Sequence, residues 1–257
     1  MKSISLYVDN GSWLCRVHPF TKLAYIVTAI SVPLIGGTLW LFAAFIALSL
    51  AVLASGHLLR RVTPLVAFSF TILITIFLIH GLFNQNNQTP LFQIGPLRFY
   101  QEGLLYALRI GCNVLNMLFS FAILVLSTKP SELVEELEKR GFSRRIGYII
   151  ISVFQIVPQM MGTMSTITDA QRSRGMETEG NLLTRAKAFL PLISPVVMSS
   201  LINTRERAVA LEVRGFAAKQ KKTYLADRTP HRGDKPITIA LLALIVLAAG
   251  WRIAQCL

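Results

Sequence analysis

An all-α, polytopic membrane fold with long cytoplasmic helices is predicted by three features of this sequence. Residues 23–59 contain no Asp, Glu, Lys or Arg, and neither do residues 62–97. Both runs lack the ten-residue alternation of a membrane barrel, which leaves the helix as the structure that satisfies its backbone in lipid. Finally, 18 of the 26 Lys and Arg residues fall between positions 128 and 235. With 53% apolar residues, 15% charged residues and a mean hydropathy of +0.54, the chain carries far less charge than the quarter or so typical of a soluble domain.

About 20 helical residues cross the roughly 30 Å hydrocarbon core, so the run 23–59 is too long for one span. Pro33 and Gly36-Gly37 interrupt it, which predicts spans near 23–35 and 39–55 joined by a tight turn. A third span covers about 62–83 and ends at the amide-rich stretch Asn84 to Pro90. A fourth covers about 103–126, with Arg109 near one end, and a last one begins at Ile237. The first 22 residues are polar and mixed, without the pattern of a cleavable signal peptide. Three regions result: a four-span membrane domain over 1–127, an interfacial module over 128–235, and a final span over 236–257.

Basic residues concentrate in cytoplasmic loops. Residues 1–22, the Arg60-Arg61 loop and the segment 128–235 together hold 23 of the 26 Lys and Arg. This places the N-terminus and the central module in the cytoplasm of a multi-pass protein of the inner or plasma membrane. The net charge of +13 is then mostly a topology signal. Within the module, the uncharged stretches 146–168 and 188–204 are rich in Ser, Thr and Gln, as at Ser152, Gln155, Gln159 and Thr163. Spanning would also put Arg172, Arg174, Arg185 and Lys187 on the outside. Long helices at the cytoplasmic membrane surface, apolar on one face, fit better. A shorter helix precedes them, with Ser131 as N-cap, Leu133, Val134 and Leu137 as apolar stripe, and Gly141 as C-cap.

Two sites forty residues apart share one spacing. Ala170-Gln171-Arg172-Ser173-Arg174-Gly175 and Ala210-Leu211-Glu212-Val213-Arg214-Gly215 each place Ala four residues before an Arg-Gly pair. Arg in a last turn followed by Gly is ordinary helix closure, and Arg140-Gly141-Phe142 shows the same ending. Two long helices with matching tips, however, suit a partner that presents two equivalent pockets, such as a dimer.

These tips, with their flanks, resemble the transmembrane T component of energy-coupling factor transporters, ATP-driven importers of vitamins and metal ions. That family carries two Ala-Arg-Gly signatures at the ends of coupling helices. Here Ser173-Arg174-Gly175 and Val213-Arg214-Gly215 keep Arg and Gly and replace both leading alanines. Pro158 in the preceding helix, Lys129-Pro130-Ser131-Glu132-Leu133, and Leu14-Cys15-Arg16-Val17-His18-Pro19-Phe20-Thr21-Lys22-Leu23 are also similar to the family, with His18 and Phe20 in place of its Asp and Arg. The resemblance implies that Arg174 and Arg214 dock onto two ATP-binding-cassette ATPase subunits. It also implies that apolar faces of the coupling helices move a small substrate-binding membrane subunit, with no cofactor in this chain; the faces of 146–168 and 186–212 are the candidates for that contact, and equally for packing between the two helices.

Other functions fit poorly. No glycine is followed by Lys, so the phosphate-binding loop of an ATPase is missing. A conventional permease docking loop needs Gly six positions after Glu, whereas Gly215 stands nine after Glu206. The charge-free spans offer no carboxylate to a membrane-embedded enzyme. His57, His80 and the scattered Cys15, Cys112 and Cys256 match no ligand spacing. The basic run Lys219, Lys221 and Lys222, with Tyr224 nearby, suits anionic lipid or a solvated linker rather than nucleic acid.

Overall fold

The computed structural model describes residues 11–83, 89–94, 97–176, 181–218 and 233–256. The amide-rich residues 84–88, the basic run at Lys219, Lys221, Lys222 with Tyr224, and the first ten residues lie outside them. Nine helices occur among the described residues: α1 (Trp13–Arg16), α2 (Pro19–Gly36), α3 (Leu39–Ser55), α4 (Leu59–Phe83), α5 (Gln101–Ser127), α6 (Pro130–Lys139), α7 (Arg144–Ser173), α8 (Leu182–Val213) and α9 (Asp234–Cys256). The fold is all-α and polytopic apart from one small antiparallel hairpin, β1 (Pro90–Ile94) and β2 (Leu97–Tyr100). Five helices, α2, α4, α5, α7 and α9, are long and apolar enough to cross a membrane; α3, at 17 residues, is a shorter apolar helix.

The described residues divide into two units. Residues 11–136 with 233–256 form one, and 137–218 the other, so the division falls inside α6.

In the first unit, α2 packs on α9, α5 and α3, while α4 lies along α5. Leu14, Leu53, Leu58, Val62, Phe119 and Ile123 make the main core cluster, and Ala29, Val32 and Phe45 join α9 to α2 through Ile245 and Ala248. Polar groups inside lipid have to find partners within the protein. Tyr25 and Ser49 share a 2.6 Å hydrogen bond, Asn116 donates to the Ala29 carbonyl at 2.5 Å, and the Thr28 hydroxyl donates to the Ala24 carbonyl at 2.8 Å. His80 meets Tyr106 edge-on at 5.0 Å, which is packing between α4 and α5.

Helix ends depart from the sequence expectation in two places. Pro33 lies inside α2 and does not break it; the chain turns only at Gly37, where φ is +66° and the amide still donates to the Pro33 carbonyl. A Cβ on Gly37 would stand 3.1 Å from Nη2 of Arg109. Arg109 therefore sits at the C-terminus of α2, where a cation is favoured by the helix dipole. Ser131 is not an N-cap. Pro130 opens α6, and the Lys129 carbonyl accepts from the amides of Glu132 and Leu133, because proline is pre-set for the first helical position. The apolar stripe also differs: Val134 is buried, Leu133 and Leu137 are half-buried, and the carboxylates Glu136 and Glu138 are buried beside them.

The second unit is dominated by α7 and α8, of 30 and 32 residues. Tyr148 packs on Phe216 with ring centroids 5.2 Å apart, and Arg207 donates to the Gln159 amide oxygen at 2.7 Å. The partner number falls as the α7 number rises, so the two helices run antiparallel. Gln159, Thr163, Asn203 and Arg207 line a small polar cleft between them. Much of their apolar surface is open, including Ile149, Phe154 and Met161 on α7 and Met198, Leu201 and Ile202 on α8.

Candidate docking tips

Both long helices close in one hydrogen-bonding pattern. At the end of α7, Gly175 donates to the Arg172 carbonyl at 2.9 Å and Met176 to that of Gln171 at 3.1 Å. At the end of α8, Gly215 donates to Glu212 at 2.9 Å and Phe216 to Leu211 at 3.0 Å. These are Schellman caps, in which a left-handed residue after the C-cap lets its own amide and the following one satisfy carbonyls of the last turn. Gly175 and Gly215 occupy that position with φ of +88° and +71°. In each case the arginine is the C-cap itself, displayed at the point where the chain reverses. α6 ends alike, with Arg140 before Gly141 at φ +102°.

The tips are open surfaces. Arg172, Ser173, Arg174 and Gly175 are exposed, as are Ala170, Ala210, Glu212, Val213, Arg214 and Gly215; Gln171 and Leu211 are half-buried. Val213 is 84% exposed, an unusual setting for a β-branched apolar residue next to a cation. The Ser173 hydroxyl turns back to the Asp169 carbonyl at 3.1 Å and leaves the arginine foremost. Among the described residues no hydrogen bond or ion pair engages the guanidinium of Arg174 or Arg214. Pro158 is exposed within α7, well before the tip.

The antiparallel pairing sets the two tips apart. From the Gln159–Arg207 contact, Arg174 lies 15 residues along α7 and Arg214 lies 7 along α8. At 1.5 Å per residue these are about 22 Å and 10 Å in nearly opposite directions. Each tip offers five fixed donors on a rigid fork beside a glycine, which allows a partner close to the backbone.

The profile of the cobalt transport protein family (CbiQ) matches residues 10–225, a range that takes in both tips and seven of the longer helices. The chain belongs to that family. Among curated proteins, the family member is similar to the energy-coupling factor transporter transmembrane protein of Staphylococcus aureus, at 28% identity over 95% of this chain and 94% of the relative. The corresponding proteins of Brevibacillus brevis and Bacillus subtilis are 26% and 25% identical, covering 97% and 96% of this chain and 98% and 95% of theirs. A conventional permease is not what these relatives are. Among the described residues of this cobalt transport family member, no cluster of His, Cys, Asp or Glu could hold a metal ion.

Valine at either cap glycine strains the turn, since left-handed backbone costs an L-residue about 1–2 kcal/mol. Gly175→Val should therefore speed hydrogen exchange at the Gly175 and Met176 amides by about tenfold. Gly215→Val should do the same at Gly215 and Phe216. Unchanged protection would show that the caps do not depend on the left-handed residue.

Sequence reasoning passed over a second set of residues. Lys22 is 3% exposed, and its ammonium donates to the Ser127 carbonyl and the Thr128 hydroxyl, both at 3.0 Å. His18 bonds Glu136 at 3.0 Å. The signal was present in the motif Leu14–Leu23, where both residues occur, but their partners lie more than a hundred positions away.

Proposed function

We infer that this chain is the transmembrane subunit of an energy-coupling factor transporter. It joins ATP hydrolysis by two partner ATPase subunits to a small substrate-binding membrane subunit during uptake of a vitamin or metal ion. The observation that carries this reading is the pair of exposed Arg-Gly caps, set at opposite ends of an antiparallel helix pair. A two-fold partner presents its pockets apart, and a pair of helices ending in like tips at its two extremes suits that spacing. The chain contributes no phosphate-binding loop, so the ATPases supply the hydrolysis. The open apolar faces of α7 and α8 are the surface offered to the substrate-binding subunit and to the bilayer.

Co-expression with an ATPase pair tests this directly. Purification of the tagged chain in detergent should retain both ATPases, and their absence would remove the reading.

The charge distribution supports a cytoplasmic N-terminus and a cytoplasmic α7–α8 connection. α7 has the length and composition of a span, but its Gln, Ser and Thr content and the arginines at its end favour a place at the membrane surface. A cysteine at Asn181, which is exposed, should resist an impermeant thiol reagent in intact cells and react after permeabilisation. Labelling from outside would put the tips on the wrong side for any ATPase.

A further inference from the structure

Arg109 stands eight residues beyond Gln101, the first residue of α5, in a helix long and apolar enough to cross a membrane. The residue is exposed on the outside of the bundle. Among the described residues no hydrogen bond or ion pair engages its guanidinium. The one carboxylate of α5, Glu102, lies two turns back and accepts from the amide and hydroxyl of Thr89. A cation facing hydrocarbon is costly, and long basic side chains on spans reach for the interface or for a partner.

Two features set the level of that guanidinium in the bilayer. Its Nη2 approaches Gly37, the C-cap of α2. α2 has 18 residues and is about 27 Å long, close to the thickness of the hydrocarbon core. Gly37 therefore lies where the headgroups begin. Exposed tryptophans mark the same level, since indole rings gather at the membrane–water boundary. Trp40 is 86% exposed and follows Gly37 by three residues. On α9 the marker is Trp251, 67% exposed. Thr238 bonds Thr21 and the Leu241 carbonyl accepts from Thr28, so α9 runs parallel to α2. Trp251, ten residues past Leu241, then falls level with the end of α2.

We propose that Arg109 is a lipid headgroup site, which takes the phosphate of an anionic phospholipid at the end of the bundle away from Lys22. The planar fork of a guanidinium matches two phosphate oxygens at once. A net-negative headgroup neutralises Arg109, whereas a zwitterionic one brings its own cation to an end that already carries a second exposed arginine, Arg252.

Trp40 supplies the probe. The full chain with Trp13→Phe and Trp251→Phe keeps Trp40 as its one tryptophan. It is reconstituted in mixed phosphatidylcholine and phosphatidylglycerol bilayers, with brominated acyl chains on one lipid or the other. Bromine quenches indole fluorescence only at close range, so quenching reports which lipid sits beside Trp40. Phosphatidylglycerol should be favoured there about fivefold in relative affinity. Arg109→Gln should bring that ratio to one. Arg109→Lys keeps the charge and loses the fork, and should hold part of the preference, which separates a lost headgroup contact from a lost fold. A preference that persists in Arg109→Gln would overturn the proposal. Equal affinity of the two lipids in the parent would do the same, and would point instead to a carboxylate on another protein chain.

Discussion

Replacing Arg174 and Arg214 together with glutamate is expected to abolish retention of the ATPase subunits while leaving the chain in the membrane. Both side chains are exposed and sit after the last helical turn, so the substitutions leave the packing of α7 and α8 alone. A desolvated charge contact costs about 2–5 kcal/mol when one partner is truncated. That is about thirty- to several-thousand-fold in affinity for each site, and reversal of sign adds repulsion. Single variants keep one anchor and should retain part of the complex, because the second contact is made at high effective concentration. Lysine at both positions keeps the charge and loses the fork, and should fall between parent and glutamate. Co-purification in detergent reads all four. Full retention by the double glutamate variant would mean that the tips are ordinary helix ends.

Lys22→Met is expected to give the largest loss of stability in the bundle. The ammonium is buried and donates at 3.0 Å to a helix-terminal carbonyl and to the Thr128 hydroxyl. Methionine fills most of the volume but leaves both acceptors without that donor. A buried polar atom left unsatisfied costs about 1–3 kcal/mol, so two cost about 2–6 kcal/mol. The thermal unfolding midpoint in detergent should fall well below that of the parent, and Lys22→Arg should recover part of it. A midpoint unchanged by Lys22→Met would show that the end of α5 is held without the ammonium.

The bundle was legible because lipid excludes charge so strongly that Arg60 and Arg61 mark the start of α4 almost by themselves. The ends of α7 and α8 were legible for a local reason as well: Arg-Gly at a helix end has one common geometry, and both glycines adopt it. What went unread depended on partners. Pro33 looked like a break because its ring removes a donor, yet α2 runs on to Gly36 and its carbonyl accepts from Gly37. The first strand of the hairpin, β1, was hidden inside a charge-free run that read as span and loop. Lys22 looked like a flanking cation of a span, and Glu136 like one of several acids at a helix start. Neither local pattern reveals that α2 lies against the end of α5 and against α6. The matched tips suggested two like rods, and sequence alone held no information on which way α8 runs past α7.

That opposite direction gives the helix pair arms of unequal length. Turning about the Gln159–Arg207 contact carries Arg174 roughly twice as far as Arg214, in proportion to about 22 Å against about 10 Å. On the proposed reading, a partner with two equivalent pockets would therefore displace the two tips by unequal amounts when it closes.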